Sequence, residues 1–138
     1  MMINRSLGLL TFYGLLVVGL ASCASPRHES SVTGSLTYLE RIALSENAEI
    51  SIQLQDVSRA DAPATIIGEE KFVSDGKQVP FPFAVKYNPD EIIENHSYIV
   101  RGEIRVDGNL MFTTTESHPV ITRGNPTSEI ELILSQVK

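Results

Sequence analysis

Tyr98-Ile99-Val100-Arg101-Gly102-Glu103-Ile104-Arg105-Val106-Asp107-Gly108-Asn109-Leu110-Met111-Phe112 is the stretch that decides the fold. Tyr98, Val100, Gly102, Ile104 and Val106 alternate with Ile99, Arg101, Glu103 and Arg105, the period of two expected of a strand with one dry face and one wet face. Asp107-Gly108 then breaks the pattern, and a dipeptide that tolerates positive φ between two alternating runs marks a tight hairpin. Residues 110–115 supply the returning strand.

The same period recurs on both sides of this hairpin. Ala48, Ile50, Ile52 and Leu54 alternate with Glu49, Ser51, Gln53 and Gln55, and Phe81, Phe83, Val85 and Tyr87 with Pro82, Ala84 and Lys86. Ile130, Leu132 and Leu134 alternate with Glu129, Glu131, Ile133 and Ser135. Residues 32–38 and 64–74 complete about seven strands. Asp75-Gly76, Asn88-Pro89 and Gly124-Asn125-Pro126 divide them with turn chemistry, and Pro89 to Glu94 leaves room for one helical turn. Pro80 and Pro82 donate nothing to a ladder, so the strand that holds them starts on an edge or has its free side outward. Short strands, each wet on one side, bury their apolar halves by packing two sheets face to face. The expectation is a small all-β antiparallel β-sandwich; a small barrel satisfies the same alternation, which does not say whether the edges close.

Ahead of the strands lies a different kind of segment. A short head with one cation, Arg5, precedes an apolar run over residues 7–19, the layout of an export signal and too short for a membrane-spanning helix of about 20 apolar residues. It stops at Leu20-Ala21-Ser22-Cys23, which is similar to a bacterial lipobox. That motif implies cleavage before Cys23 and acylation of its thiol and new amine. Lipid on Cys23 is the only covalent addition expected, and no cofactor or metal is. Cys23 is the single cysteine, so no intramolecular disulfide is available. Two or more acyl chains anchor stably where one holds only marginally. The organisation expected is a signal peptide over residues 1–22, lipidated Cys23 with a tether to residue 31, and a sandwich domain over residues 32–138. Residues 24–31 reach under about 30 Å when extended, so the domain sits close to its membrane. Ala24 in place of an Asp resembles the sorting signal of Gram-negative lipoproteins bound for the outer membrane, with the domain in the periplasm.

The chemistry the composition leaves open is narrow. The formal net charge is −6, and the leader holds Arg5 but no acid, so the exported part is more acidic still. Nucleic acid is therefore not an expected partner. His28, His96 and His118 are isolated from one another and read as solvated. Glu69 and Glu70 point to opposite faces of a strand and do not form an acid-base pair. No nucleophile elbow, phosphate-cradling glycine loop or dinucleotide fingerprint is present. The expectation is a protein that is not an enzyme.

One longer run carries a family resemblance. Gly34-Ser35-Leu36-Thr37-Tyr38-Leu39-Glu40-Arg41-Ile42-Ala43-Leu44, then Ala48 and Leu54-Gln55-Asp56-Val57-Ser58, resembles the opening of the YbaY-like bacterial lipoproteins, a group that includes the YscW-type pilotins of type III secretion. Pro82-Phe83 to Tyr87, Tyr98 to Ile104 and His118-Pro119-Val120 continue it, so it covers about residues 32–120. The motif positions are Gly34, Tyr38, Glu40, Arg41, Ala43 and Leu44. A proline common after the Ala-Leu pair in that family is replaced here by the turn Ser45-Glu46-Asn47.

The resemblance implies a membrane-tethered binding or assembly factor whose partner is a secretin subunit or another envelope protein. Read from the residues alone, Glu40-Arg41 is a charged turn pair and Tyr38 a core aromatic with its hydroxyl at the rim, or else residues 39–44 form a lip for a partner. Ile99, Met111 and Ile133 are apolar out of phase with their strands; they cap the sandwich or pack under a loop, or else they are the candidate partner surface. The alternatives are an envelope maintenance lipoprotein that binds glycan or cell wall, set back by the absence of Trp, or simply occupies the membrane face, and a lipid-anchored hydrolase with a triad drawn from distant strands.

Overall fold

The computed structural model describes Gly14, Gly19 and residues 28–138; the lipobox residues Leu20, Ala21, Ser22 and Cys23 lie outside the described residues. Among the described residues eight strands follow one another: β1 (Ser30–Tyr38), β2 (Glu49–Asp56), β3 (Thr65–Val73), β4 (Phe81–Tyr87), β5 (Tyr98–Val106), β6 (Asn109–Thr113), β7 (Pro119–Val120) and β8 (Ile130–Gln136). A single 3-10 turn, Pro89–Glu91, joins β4 to β5, capped by the Asn88 side chain accepting from the Asp90 N–H. The strand order is β3-β2-β5-β6-β8-β1-β4, with β7 beside β5.

The decisive hairpin is where the alternation places it. Asp107 and Gly108 both have positive φ, 52° and 80°, and Val106 pairs with Asn109 across them. Asp75-Gly76 turns in the same way. β7 was not among the expected strands, because two residues are too few to display a period.

The two walls of the expected sandwich are present, and they are joined. β4, β1 and β8 form one wall; β3, β2, β5 and β6 form the other. β8 connects them, pairing with β1 through Ile130 to Leu134 and with β6 through Ser135 and Gln136. The β1–β8 ladder is parallel, unlike the remaining antiparallel ladders. A parallel pair needs a long crossover, and the whole chain between the first and last strands provides one.

At the opposite side β3 and β4 end the strand order and face each other without a ladder. The Glu70 carboxylate accepts a 2.7 Å hydrogen bond from the Ala84 N–H, and the rings of Phe72 and Phe81 meet edge to face at 5.6 Å. Gly68 makes this approach possible, since a Cβ there would lie 2.4 Å from the Lys86 carbonyl oxygen. The result is a flattened barrel with one seam closed by side chains, and the edge position of β4 accommodates Pro82.

The interior is filled by the dry faces: Val32 and Leu36 of β1, Ile50, Ile52 and Leu54 of β2, Val85 of β4, Val100 and Ile104 of β5, Phe112 of β6, and Leu132 and Leu134 of β8 are all buried. Gly102 breaks the run of large side chains on β5 because Leu36 occupies its place; a Cβ there would lie 2.6 Å from Leu36 Cδ1.

The tightest contact is at Gly34, where an added Cβ would fall 1.9 Å from the Ile130 carbonyl oxygen, so β1 and β8 approach only with hydrogen at that position. Gly34→Ala should force the two backbones apart and lower stability by about 1–3 kcal/mol or more. Urea unfolding followed by circular dichroism measures this, with Ser35→Ala on the same strand expected to leave the midpoint nearly unchanged.

Candidate partner-binding site

Strand direction sorts the loops into two groups. The end where β1 begins, the entry end, gathers the ends of β2 and β4, the Pro89–Glu91 turn, the start of β5, and β7. The far end gathers the end of β1, the start of β2, residues 74–78, the Asp107-Gly108 hairpin and the end of β8. From Ser30 to Tyr38 is about 26 Å along the strand.

At the far end the family-motif residues build a loop that is fixed without a ladder. Tyr38 is buried and its ring stacks on Phe112 at 4.1 Å, while its hydroxyl donates to the Ile42 carbonyl. This draws residues 39–42 into a tight return. Leu44 is then held by an amide clamp, its N–H donating to Gln78 Oε1 at 2.7 Å and its carbonyl accepting from Gln78 Nε2 at 3.1 Å. Buried Ser74 donates to the Ser45 carbonyl at 2.7 Å, and Asn47 Nδ2 donates to Asp107 Oδ1 at 2.7 Å. Of the motif residues, Gly34 and Leu44 are structural by these contacts, and Ala43 is exposed.

The return leaves an unusual surface. Leu39 is 76% exposed and Ile42 43%, and Arg41 is exposed between them. Glu40 lies half-buried, with Oε2 shielded and without a donor. Burial pushes the Tyr38 hydroxyl pKa up, and the nearby Glu40 charge adds to the rise. The expected Glu40-Arg41 turn pair does not close as an ion pair: among the described residues neither side chain has an ion-pair partner.

The candidate residues Ile99, Met111 and Ile133 do not converge. Ile133, 44% exposed, stands opposite Thr37 on the outer side of β8. Met111 packs partly against the core beside the end of β8, its carbonyl accepting the Val137 N–H at 2.9 Å. These two therefore belong to adjacent strands. Ile99 pairs with Gln55 and Pro119 toward the entry end, where with Val57, Tyr98, Thr122 and Arg123 it lines a depression of about 290 Å³. A second depression, about 470 Å³, lies along β2, β3 and β5 and is lined by Glu49, Gln53, Lys71, Glu103 and Arg105 among others. Its charges are largely matched within the chain, Lys71 with Glu69 at 3.2 Å and Arg105 with Glu103 at 3.3 Å.

A serine, an acid and a histidine do meet at the entry end. His96, read from the sequence as solvated, is 2.7 Å through Nδ1 from Asp56 Oδ2, and Asp56 Oδ1 accepts from the Ser58 hydroxyl and N–H. The acid stands between the other two. Ser58 Oγ has no imidazole beside it and instead accepts the Ser97 N–H at 2.9 Å, so the proton relay that activates a serine nucleophile is absent from this trio. The cluster ties β2 to the loop before β5, and Thr122 Oγ1 extends it by donating to the His96 carbonyl at 2.7 Å. Thr122 follows Ile121, whose φ of 71° is rare for a β-branched residue and is held by the Thr122 N–H bonding back to the Val120 carbonyl.

Burial pushes the Asp56 carboxyl pKa up, but the hydrogen bonds from Ser58 and His96 outweigh it and hold the group below the ordinary carboxylate range. A lowered native pKa contributes stability that is fully present above the unfolded value of about 3.9 and is lost as pH falls through the native value. Asp56→Asn should flatten this acid limb in thermal melts taken between neutral pH and pH 2. At the other end, Gln78→Ala should lower stability by about 1–3 kcal/mol by leaving the Leu44 amide and carbonyl unpaired. Hydrogen exchange should show the Leu44 amide losing protection before the strands do.

The comparisons with known proteins bear on this architecture. A family model described as "Type III secretion system lipoprotein chaperone (YscW)" matches residues 27–132. The chain is 30% identical over 105 residues to the uncharacterized lipoprotein YbaY of Escherichia coli (strain K12), a match that covers 76% of this chain and 55% of that protein. It thus spans about half the length of that curated relative. Among solved structures, an alternative pilotin from the type II secretion system of Vibrio cholerae matches with a TM-score of 0.73 and 42% identity, covering 79% of this chain and 99% of that one. With most of its length matched by the family model, the chain belongs to the YscW family of lipoprotein chaperones, together with its YbaY-like relatives.

Proposed function

We propose that this chain is a pilotin-like factor without enzymatic activity, anchored by lipid on Cys23 to the periplasmic side of the outer membrane, that holds a secretin subunit and aids its assembly there. The observation that carries this reading is the 42% identity and TM-score of 0.73 to the Vibrio cholerae pilotin over 99% of that protein. The Leu20-Ala21-Ser22-Cys23 segment agrees with it by providing an acylatable thiol just ahead of the domain. A chaperone of this kind requires a rigid body, a short tether and a surface for a peptide, and no reacting group. The glycan alternative gains nothing from the fold. There is no Trp, Tyr38, Tyr87 and Tyr98 are all buried, and the fourth tyrosine, Tyr13, lies in the expected leader, so among the described residues no tyrosine or tryptophan is exposed to stack on a sugar ring.

The test is recovery of the tagged full chain from crosslinked envelopes of cells that express it with a secretin. The secretin subunit should copurify and both should sediment with the outer membrane. Cys23→Ala should release the chain from the membrane and leave the secretin monomeric or misplaced. Recovery of the chain without any secretin, or unchanged sedimentation of Cys23→Ala, would contradict the proposal.

A further inference from the structure

One strand edge is left open. The inward-turned positions of β3 are what meet β4: the Glu70 carboxylate takes the Ala84 N–H, the Phe72 ring meets Phe81, and the place of a Cβ on Gly68 points at the Lys86 carbonyl. β4 therefore abuts the inner face of β3 and not its edge, and among the described residues the one ladder of β3 is with β2. In an antiparallel pair alternate residues turn both N–H and C=O away from the neighbouring strand, so about half of Thr65–Val73 presents unpaired donors and acceptors on its second side. No turn or loop of the described residues bonds to them. A register shift opposite Leu54 and Gln55 disturbs the start of the strand and leaves residues 68–73 as its straight part. A regular row of main-chain groups is matched by another extended segment.

The side chains beside this edge say which segment. On the wet face of β3, Glu69, Lys71 and Val73 are all exposed. Lys71 lies 3.2 Å from Glu69 along the same strand with its side chain 69% exposed, and an exposed pair of that kind is weak enough to give way to partners across a ladder. The two charges disfavour an uncharged strand and admit one that carries their complement.

The geometry points to the open edge of β3 as a strand-addition site for an extended partner segment that runs antiparallel to it, with an apolar residue facing Val73, an acid facing Lys71 and a base facing Glu69. Read from its N-terminus the segment is apolar-x-acid-x-base. The backbone ladder holds it and the charges set its register and direction, since parallel addition would need the acid and the base in the opposite order; antiparallel pairing is the commoner and slightly more stable of the two. This inference rests on the reading of the chain as a binding factor and adds where the partner sits and what chemistry it brings. A second copy fits less well. Its β3 would bring Lys71 to Glu69, but it would set Glu70 opposite itself across the two-fold axis, and that axis inverts one body against the other, whereas two chains tethered through the start of β1 to one membrane surface stand the same way up.

The test uses the full chain in detergent and dye-labelled synthetic peptides, with fluorescence anisotropy as the readout. The chain should bind Thr-Val-Thr-Asp-Thr-Lys-Thr about tenfold tighter than the same peptide with Asp and Lys exchanged. Glu69→Lys combined with Lys71→Glu keeps one charge of each sign on the face and should reverse that preference. Two readings need no variant: methylating the alternate peptide nitrogens that face β3 should abolish binding while methylating the intervening ones should not, and the β3 amides turned away from β2 should exchange more slowly when peptide is bound. Absence of binding, equal binding of the two peptides, a preference that the double variant leaves unreversed, or two methylated sets that behave alike would overturn the inference. So would a dimer of the peptide-free chain that Glu69→Lys breaks and added Lys71→Glu restores, which would assign the edge to a second copy. Failure of the peptide selection removes this site and leaves the secretin result standing; failure of secretin to copurify with wild type removes the proposed function and leaves the peptide result standing.

Discussion

The contact between β1 and β8 at Gly34 is what the rest of the molecule depends on. The first and last strands must lie side by side for the two walls to become one curved sheet, and they do so in parallel with the Ile130 carbonyl directly over the Gly34 Cα. Any side chain there would collide with backbone, which does not yield as a flexible side chain would. Once the strands are in register, Leu36 of β1 and Leu132 and Leu134 of β8 face inward together and share the space above Gly102. The β3–β4 seam is the lesser closure, made by one carboxylate, one pair of aromatic rings and the missing Cβ of Gly68.

That closure has a functional consequence, because it fixes which loops lie at which end. With the chain entering at Ser30, the His96 and Asp56 cluster, the Pro89–Glu91 turn and the strained Ile121 are held at the entry end. The motif loop, clamped by Gln78, is held at the other. Strands in a barrel tilt by about 35–45°, so the two ends stand about 20 Å apart along the barrel axis. A body held by its entry end would present residues 39–42 away from the bilayer.

Much of this was legible in the residues. Four strands were written plainly in the period of two, because each has one wet face and the alternation is a direct record of it, and the further candidates at residues 32–38, 64–74 and 110–115 fell within a few residues of β1, β3 and β6. Asp107-Gly108 announced its hairpin because few dipeptides accept two successive positive φ values. The out-of-phase Ile99, Met111 and Ile133 were visible as anomalies, but their places were not: register decides neighbours, and register depends on the closure of β1 on β8, which no local pattern encodes. The same holds for His96. It is isolated in sequence and reaches Asp56 only because the end of β2 lies beside the start of β5. The Tyr38 hydroxyl was expected at a rim partner, and it finds the Ile42 carbonyl. The bareness of Glu40 was hidden, since an Arg follows it directly and suggests a pair that the loop geometry does not form.

The proposed anchor at Cys23 would hold the domain to its membrane by the entry end with the motif loop outermost. Depth-dependent quenching on lipid vesicles measures this directly. The chain would carry a fluorophore either at Ile93→Cys, near the entry end, or at Ile42→Cys, the proposed acylation leaving no free thiol at Cys23. The account predicts that bilayer-borne quenchers reach the label at position 93 and leave the one at position 42, about 20 Å farther out, nearly untouched. Stronger quenching at position 42 than at position 93 would contradict it.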